Sequence, residues 1–225
     1  MPNKFEAIVV GSGPEGLTAA IGVAVGGIST ALVAKRATRA DNRTTALMAD
    51  SVAALQTLSV WELCAAQSAP LKIMRIVDDT GRLWRAPEVK FAADEIELEA
   101  FGYNIANRDL VAALEERARA IATLQLIDDE VTAVEPGDAS VTVTLKSGGA
   151  LQAALIVGAD GRHSPCRKAA GIRTDERQYK QVALTVCLKN SRPHRDTSTE
   201  FHTPSGPFTL VPLPGERSGL VWVLD

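Results

Sequence analysis

Three glycines near the start of the chain have the spacing of a phosphate-binding turn. Gly11, Gly13 and Gly16 form a G-x-G-x-x-G pattern directly after the apolar run Ile8–Val10. The first glycine permits a tight turn, the second lets the backbone approach a pyrophosphate, and the third lets the next helix pack on the strand. Pro14 suits the first turn of that helix, whose N–H groups would face the phosphates. The pattern predicts dinucleotide binding, with a glycine turn without ligand as the alternative, and does not say which dinucleotide.

A second candidate group follows another apolar run late in the chain. Residues 155–157 are Leu-Ile-Val, and they lead into Gly158-Ala159-Asp160-Gly161. This places an acid at the carboxyl end of a predicted buried strand, which is the edge where open α/β sheets bind ligands. The Asp160 carboxylate could accept hydrogen bonds from hydroxyls or orient backbone donors, while Gly161 lets the main chain come close. A strand followed by an ordinary Asp-Gly turn is the alternative, and the glycines at the start of the chain favour the binding role.

Composition excludes several other classes of function. The chain has 225 residues, enough for one large or two small domains, and a formal net charge of −3 without a basic cluster, so no nucleic-acid partner is expected. Its three cysteines are widely spaced, which indicates reduced thiols in a cytoplasmic setting. The three histidines lack the spacing of metal ligands, and we expect no metal site.

An uncharged run of residues 16–34 has the length of a membrane span. It is mostly Ala, Gly, Ser and Thr, is interrupted by Gly26-Gly27, and continues as a β-like segment from Ser29 to Val33. We therefore expect a buried helix followed by the second strand of a βαβ unit. The glycine turn also interrupts any signal-peptide pattern at the N-terminus.

The elements that must position these residues can be read from the hydrophobic periodicity. A polar loop is expected over residues 35–45, helices over 48–58 and 61–66, and a hairpin that pairs 72–78 with 82–85. Asn107 is expected to be the N-cap of a helix whose apolar positions extend to Ile121. Further strands are predicted over residues 130–135, 141–145, 151–157, 182–188, 208–212 and 219–224.

These motifs together resemble the FAD-dependent aromatic hydroxylases related to p-hydroxybenzoate hydroxylase, and within them the ubiquinone-biosynthesis hydroxylases that act on polyprenylated phenols. The glycine turn matches the N-terminal fingerprint of that family. The family's G-A-D-G-x-x-S-x-x-R segment is matched by Gly158–Gly161 with Ser164 and Arg167. The run 41–47, Asn107-Arg108-x-Leu110, and the segments around Tyr179 and Phe201 also resemble regions of this branch, and they occur in the family's order.

The resemblance implies an α/β fold, with a Rossmann-type (glutathione-reductase-like) FAD-binding domain and an inserted, partly present substrate β-sheet. The implied FAD-binding domain comprises residues 1–70 and 101–177, and the substrate-side sheet comprises 71–100 and 178–225. The resemblance also implies that Arg43 contacts the flavin or a phosphate and that Arg108 lies near the flavin. The predicted cofactor-binding residues are therefore Gly11, Gly13, Gly16, Arg43, Arg108, Asp160 and Gly161.

The activity implied by the resemblance is hydroxylation of a polyprenyl phenol on the route to ubiquinone, with FAD as cofactor, NAD(P)H as reductant and O2 as the oxygen source. No catalytic acid or base is named, because the flavin performs this chemistry. The expected location is cytoplasmic. Peripheral contact at the inner membrane, where the apolar substrate would reside, or contact with a biosynthetic complex is the alternative. The oligomeric state is left open.

Two departures from the family pattern leave alternatives open. The second strand usually ends in an acid that binds the adenosine ribose, but this chain has Ala34 there, followed by Lys35 and Arg36. Basic residues at this place could instead hold the 2′-phosphate of NADP, so an NADP-dependent reductase with two nucleotide folds is an alternative. The other departure is that the chain stops at Asp225 without the family's later Gly-Asp segment, so we expect these residues alone to be incomplete and inactive. A non-catalytic flavin-binding module is the third reading.

Overall fold

The computed structural model describes residues 3–35 and 41–224. Over these residues the helices are α1 (Pro14–Val25), α2 (Ala49–Thr57), α3 (Trp61–Cys64), α4 (Asn107–Arg119) and α5 (Pro165–Ala169). The strands in the first half of the chain are β1 (Asn3–Lys4), β2 (Ala7–Val10), β3 (Thr30–Val33), β4 (Thr44–Met48), β5 (Ser68–Pro70), β6 (Ile73–Asp78), β7 (Val89–Ala92) and β8 (Gly102–Ala106). Those in the second half are β9 (Leu124–Ile127), β10 (Val131–Pro136), β11 (Val141–Leu145), β12 (Ala150–Ala153), β13 (Leu155–Gly158), β14 (Val182–Lys189), β15 (Thr197–Thr203), β16 (Gly206–Leu213) and β17 (Arg217–Leu224).

The chain divides into two compact units, which are described separately. Unit 1 comprises residues 1–40, 58–60 and 111–176, and unit 2 comprises residues 41–57, 61–110 and 177–225. This division differs from the boundaries expected from the sequence, because the antiparallel sheet β4-β8-β5 holds residues 44–48, 68–70 and 102–106 together. That residues 1–70 and 101–177 bind the cofactor is a statement about function, and it stays a prediction.

Unit 1 contains a four-stranded parallel sheet in the order β13-β2-β3-β9. Strand β2 is fully buried, and the apolar side chains Leu17 and Ile21 of α1 are also excluded from solvent. The uncharged run after the glycine turn is therefore a helix followed by strand β3, as the sequence predicted. The α/β class is confirmed by this sheet and its crossover helix. No helix within residues 3–35 and 41–224 is long and apolar enough to span a bilayer.

A second sheet of unit 1, in the order β1-β12-β11-β10, packs its apolar side chains with those of the parallel sheet in one core cluster. The single buried strand predicted over residues 151–157 is wrong. The structure has two strands there, β12 in this sheet and β13 in the parallel sheet. Strand β13 is the edge strand of the parallel sheet, and Leu155 is exposed. The sequence reading also omitted β9, the outer strand on the opposite side of the parallel sheet.

Unit 2 is built on a six-stranded sheet in the order β14-β17-β16-β15-β6-β7. The three predicted strands near the end of the chain are confirmed, and β15 is an additional strand that pairs in parallel with β6. The hairpin partner predicted over residues 82–85 is wrong, since β6 pairs with β7 instead. The Asp78 carboxylate accepts hydrogen bonds from the N–H groups of Thr80 and Ala86 at 3.1 and 2.9 Å, which fixes a wide loop in which Leu83 and Trp84 are exposed.

The second sheet of unit 2 corrects two further expectations. Residues 44–48 were predicted to be loop and helix, but they form β4, and the helix begins at Ala49. Helix α4 begins at Asn107, which is therefore not the N-cap residue. Its side chain is occupied elsewhere, because the amide oxygen accepts a hydrogen bond from the Thr45 hydroxyl at 2.6 Å. The local pattern of residues could not reveal this tertiary contact.

Candidate functional site

Two of the three glycines in the turn after β2 are required by close backbone packing. Gly11 has a φ of +113°, and a Cβ atom at this residue would lie 2.1 Å from the Ala159 carbonyl oxygen. A Cβ atom at Gly16 would lie 1.9 Å from the Gly11 carbonyl oxygen. No side chain can be accommodated at such distances unless the backbone moves. The structure thus provides the tight turn and the close helix–strand approach that the sequence predicted for Gly11 and Gly16.

Gly13 differs from its two neighbours because no backbone atom occupies the space beside it. It is the N-cap of α1 in an extended conformation, and a Cβ atom there would meet a flexible side-chain atom, Oε2 of Glu15, at 2.9 Å. The Leu17 N–H donates to the Gly13 carbonyl at 3.0 Å. The N–H groups of the preceding helical residues therefore lack partners within the helix and are available to an anion. The bare backbone at Gly13 is suited to the approach of a phosphate group.

The glycine turn opens onto a cleft at the carboxyl edge of the parallel sheet. The cleft has a volume of about 500 Å³, and its lining includes Gly11, Gly13, Ala34, Lys35, Asp160 and Gly161. All of these belong to unit 1. The structure thus brings two separate sequence signals, residues 11–16 and 158–161, to one edge of one sheet. Ligands of open α/β sheets bind at this edge.

Asp160 stabilises the turn that follows β13. Its carboxylate accepts a hydrogen bond from the Cys166 N–H at 3.0 Å, at the start of α5. Burial raises the pKa of Asp160, but hydrogen bonds from the Ser164 hydroxyl and from Cys166 outweigh this effect, so that its pKa is lowered. Gly161 has a φ of +77° with open space around its Cα, which favours glycine in the same turn. An ionised carboxylate beside the cleft is therefore the state at neutral pH.

Cys166, whose N–H donates to Asp160, lacks the features of a reactive nucleophile. Burial, followed by the hydrogen bond and the negative charge of Asp160, raises the pKa of its thiol to about 12. A thiol is reactive as the thiolate, and the thiolate is absent at neutral pH at this position. The cleft therefore offers binding groups and no covalent chemistry from this cysteine.

The second parallel strand, β3, ends at Val33, and the residue that follows it is Ala34 and not an acid. The Ala34 N–H donates to the Ile127 carbonyl at 3.1 Å, as part of the pairing of Val33 with Ile127. Lys35 follows at the edge of the cleft. Arg36, the other basic residue considered for a 2′-phosphate, lies outside the described residues. The neighbouring strand, β9, ends at Ile127 and is followed by three acids, Asp128-Asp129-Glu130.

The two arginines implied by the family resemblance lie in unit 2, in a group that we call the arginine cluster: Asp41, Arg43, Thr45, Asn107 and Arg108. The Arg43 guanidinium donates to both carboxylate oxygens of Asp41, at 2.9 and 2.8 Å. The hydrogen bond from the Arg43 side chain is the main cause that lowers the pKa of Asp41 to about 2. Asp41 therefore stays ionised and holds Arg43 in place.

Asn107 connects the parts of the arginine cluster. Its backbone N–H donates to the Arg43 carbonyl at 3.0 Å, and its side-chain amide donates to Asp41 at 3.1 Å. Arg108 lies next to it with an exposed guanidinium, 3.4 Å from the Asp109 carboxylate. The structure thus brings residues 41–45 together with residues 107–108, while Gly11, Gly13, Gly16, Asp160 and Gly161 lie in the other unit.

Sequence reasoning missed two acids in these regions. Asp41 was part of a family-like run, but no local pattern identifies it as the partner of Arg43. Asp128 was missed because strand β9 was missed. The signal was present, since Leu124-Gln125-Leu126-Ile127 is an apolar run directly before three acids.

Comparison with known proteins assigns these features to a family. A model of the FAD binding domain family matches residues 4–225. The ubiquinone hydroxylase UbiL of Rhodospirillum rubrum is 33% identical over 224 residues, which is 96% of this chain and 51% of that protein. The 3-demethoxyubiquinol 3-hydroxylase of Escherichia coli is 29% identical over 96% of this chain and 56% of that protein. The chain thus spans about half the length of these curated relatives.

A solved structure with a similar fold is PqsL of Pseudomonas aeruginosa in complex with 2-aminobenzoylacetate. It superposes with a TM-score of 0.82 at 20% identity, and the match covers 99% of this chain and 61% of that chain. At this identity the similarity establishes the fold alone. The described residues therefore adopt an α/β fold that also occurs in a longer protein.

Proposed function

This chain belongs to the FAD binding domain family, and on that premise we propose that it binds FAD as part of a monooxygenase that hydroxylates an aromatic ring. The observation that carries the proposal is the glycine turn at the cleft, where Gly13 leaves backbone accessible and α1 presents its N-terminus. The parallel sheet and its glycine turn would be the Rossmann-type part of the fold, which holds the ADP half of the cofactor.

The residues at the cleft fit a pyrophosphate-bearing ligand. A Cβ atom at Gly13 would fill the place where the backbone is bare, so that only glycine leaves this space to a ligand. The partnerless N–H groups at the start of α1 supply hydrogen-bond donors and the favourable end of the helix dipole. Glu15 is an exposed acid in the first turn, and its flexible side chain can turn away from the phosphates.

The substrate that we propose is a polyprenyl phenol of the ubiquinone pathway. The proposal rests on the relatives, because two of them are by name a ubiquinone hydroxylase and a 3-demethoxyubiquinol hydroxylase. When bound, FAD would take electrons from NAD(P)H and supply the chemistry that activates O2 for transfer to the ring. The protein would position the ring and exclude water, and Arg43 and Arg108 are the residues that we propose for contacts with the flavin half.

Arg43 is preorganised for such a contact. Both oxygens of the Asp41 carboxylate accept hydrogen bonds from its guanidinium. Asn107 donates hydrogen bonds to the Arg43 carbonyl and to Asp41. A side chain that is already held loses little further entropy on binding a ligand. The predicted substrate-side sheet, residues 71–100 and 178–225, lies in unit 2, to which we assign the aromatic ring.

The apolar tail of a polyprenyl substrate would bring the protein into transient contact with a membrane surface. We therefore propose peripheral association at the inner membrane during turnover. A flotation assay with vesicles that contain a polyprenyl phenol tests this, because the protein is expected to associate with these vesicles more than with vesicles that lack the phenol.

An NADP-dependent reductase is the second candidate, and Lys35 next to Ala34 is the observation that favours it. The two candidates are distinguished by titrating the chain with FAD and with NADPH under identical conditions. We expect FAD to bind and to be displaced by ADP. Binding of NADPH without binding of FAD would contradict the proposed function.

The hydroxylation itself is tested with the gene's complete reading frame in a bacterial strain that lacks a ubiquinone-pathway hydroxylase. Ubiquinone is expected to return, and an inactive Gly13→Val version of the same gene is the control. Failure to restore ubiquinone, with normal FAD content in the purified protein, would refute the proposed substrate and retain the cofactor.

A further inference from the structure

The acid that usually binds the adenosine ribose is missing from the end of β3, and the neighbouring strand offers another. Strands β3 and β9 are parallel, with Val33 opposite Ile127. The Ala34 N–H donates to the Ile127 carbonyl at 3.1 Å, which is a hydrogen bond of this last pair. Ala34 and Asp128 are therefore the residues that directly follow the last paired residues of two adjacent strands, which lie about 5 Å apart.

Ala34 and Asp128 also line one cavity. This cavity has a volume of about 100 Å³, and Ser12 of the glycine turn contributes to its wall. It is therefore continuous with the turn at which we propose that the pyrophosphate binds. A cavity of this size can take a sugar ring or part of one, and it places a carboxylate where the small Ala34 side chain leaves room.

From this geometry we infer that Asp128 provides the carboxylate that binds the ribose hydroxyls of the ADP half of FAD, in place of the acid missing at Ala34. The inference rests on the proposed function. A carboxylate accepts hydrogen bonds at about four lone-pair positions, so it can accept from the two adjacent ribose hydroxyls and keep its contacts with the protein. The same negative charge repels a 2′-phosphate, so Asp128 selects FAD or ADP over NADP despite Lys35.

The two neighbouring acids have other roles. Asp129 is engaged by the turn after β11, where the Ser147 hydroxyl is the main group that lowers its pKa, with the Glu130 N–H as a further donor at 2.7 Å. Glu130 forms an ion pair with Lys146 at 2.8 Å. Asp128 is the acid of this trio that lines the cavity together with Ala34. Arg119, a cation of the same cavity, pairs with Glu115 in α4.

The test asks whether the Asp128 carboxylate contributes to affinity through the ribose 2′-hydroxyl. ADP and 2′-deoxy-ADP are titrated into the chain and into Asp128→Asn by calorimetry. We expect Asp128→Asn to weaken ADP about tenfold or more, the loss that follows when a hydrogen bond to a charged group is removed. We expect the variant to weaken 2′-deoxy-ADP less than ADP, because this ligand lacks one of the two ribose hydroxyls. The matched control is Asp138→Asn, which removes the same charge from the turn between β10 and β11 and should change neither affinity.

A rescue variant tests whether Asp128 takes the place of the acid missing at Ala34. Ala34→Glu, introduced into Asp128→Asn, returns an acid to the usual position and is expected to restore most of the ADP affinity. An ADP affinity unaffected by Asp128→Asn, or an equal loss for ADP and 2′-deoxy-ADP, would overturn the assignment of Asp128.

The failure of this inference is distinguishable from failure of the proposed function. If the unchanged chain binds FAD and ADP, and Gly13→Val abolishes both, the cleft is the cofactor site whatever Asp128 does. If the unchanged chain binds neither FAD nor ADP, the proposed function and the ribose assignment are both overturned.

Discussion

At the scale of single residues, the glycines of the turn differ in what they are needed for, since Gly16 is required by the fold and Gly13 is proposed for ligand binding. The space beside Gly16 is filled by the protein's own backbone, whereas the space beside Gly13 is bounded by a flexible side chain. Substitutions at these two positions should therefore fail in different ways. The distinction matters because a fingerprint that served the fold alone would show backbone packing at all three glycines.

We predict that Gly13→Val abolishes FAD binding and changes the melting temperature little, because an extended N-cap residue tolerates a side chain but a ligand phosphate does not. Gly16→Ala should instead destabilise unit 1 by roughly 1–3 kcal/mol, the usual cost of overpacking. Flavin fluorescence and thermal unfolding measure the two effects. Gly22→Val is the control for a substitution in the same helix, because a Cβ atom at Gly22 meets nothing within 4 Å. Retained FAD affinity in Gly13→Val would show that the turn does not hold the phosphates.

The ion pair between Asp41 and Arg43 gives a prediction about pH. The pKa of Asp41 is about 2 in the folded protein, against about 3.9 in an unfolded chain. Its contribution to stability is therefore fully present above about pH 4 and is lost as the pH falls towards 2. The difference in melting temperature between the unchanged chain and Asp41→Asn should be largest near neutral pH and should shrink below pH 4. A difference that is independent of pH would mean that the carboxylate charge does not stabilise the arginine cluster.

The residues that the sequence could identify are those whose role follows from local geometry. Gly11 and Gly16 were predicted with the correct physical reason, since a tight turn between a strand and a helix requires them. The pairing of Asn107 with Thr45 could not be predicted, because the two residues lie 62 positions apart. The roles of Arg43, Arg108 and Asp160 in cofactor binding stay predictions.

At the scale of elements, the strongest local signals gave the correct elements and the weak ones did not. Clear apolar runs, separated by turn-forming glycine and proline residues, mark strand β2, helix α1 and strand β3. Residues 151–157 form a continuous apolar run that cannot show where the chain changes from one sheet to another. Strand β9 is short and follows a helix closely. Its omission also left out the strand that precedes Asp128, the acid that we propose for the ribose.

The loop between β6 and β7 gives a prediction at this scale. The Asp78 carboxylate accepts hydrogen bonds from both ends of the loop, including the Thr80 hydroxyl at 2.7 Å. Asp78→Ala should release the loop, and trypsin should then cut after Arg82 and Arg85 several-fold faster than in the unchanged chain. Asp79→Ala is the control, because it removes an exposed ion pair with Arg85 at 3.8 Å. Equal cleavage rates in the two variants would show that Asp78 does not fix the loop.

At the scale of the molecule, the chain consists of two compact units, each with its own candidate groups. Unit 1 has the glycine turn, the cleft and Asp128, and unit 2 has the arginine cluster and the six-stranded sheet. The family match covers residues of both units, 4–225. The sequence predicted this α/β class and a separate sheet in unit 2. Its boundaries could not be predicted, because β4 and β8 join segments far apart in the sequence.

The central claim, that the cleft of unit 1 holds the ADP half of FAD, is tested most directly by one titration. FAD is added to the unchanged chain and to Gly13→Val, flavin fluorescence is followed, and ADP and NADPH are then added as competitors. The account predicts saturable binding of FAD to the unchanged chain, displacement by ADP with little effect of NADPH, and no binding to Gly13→Val. Displacement by NADPH but not by ADP, or equal FAD binding by both proteins, would contradict it.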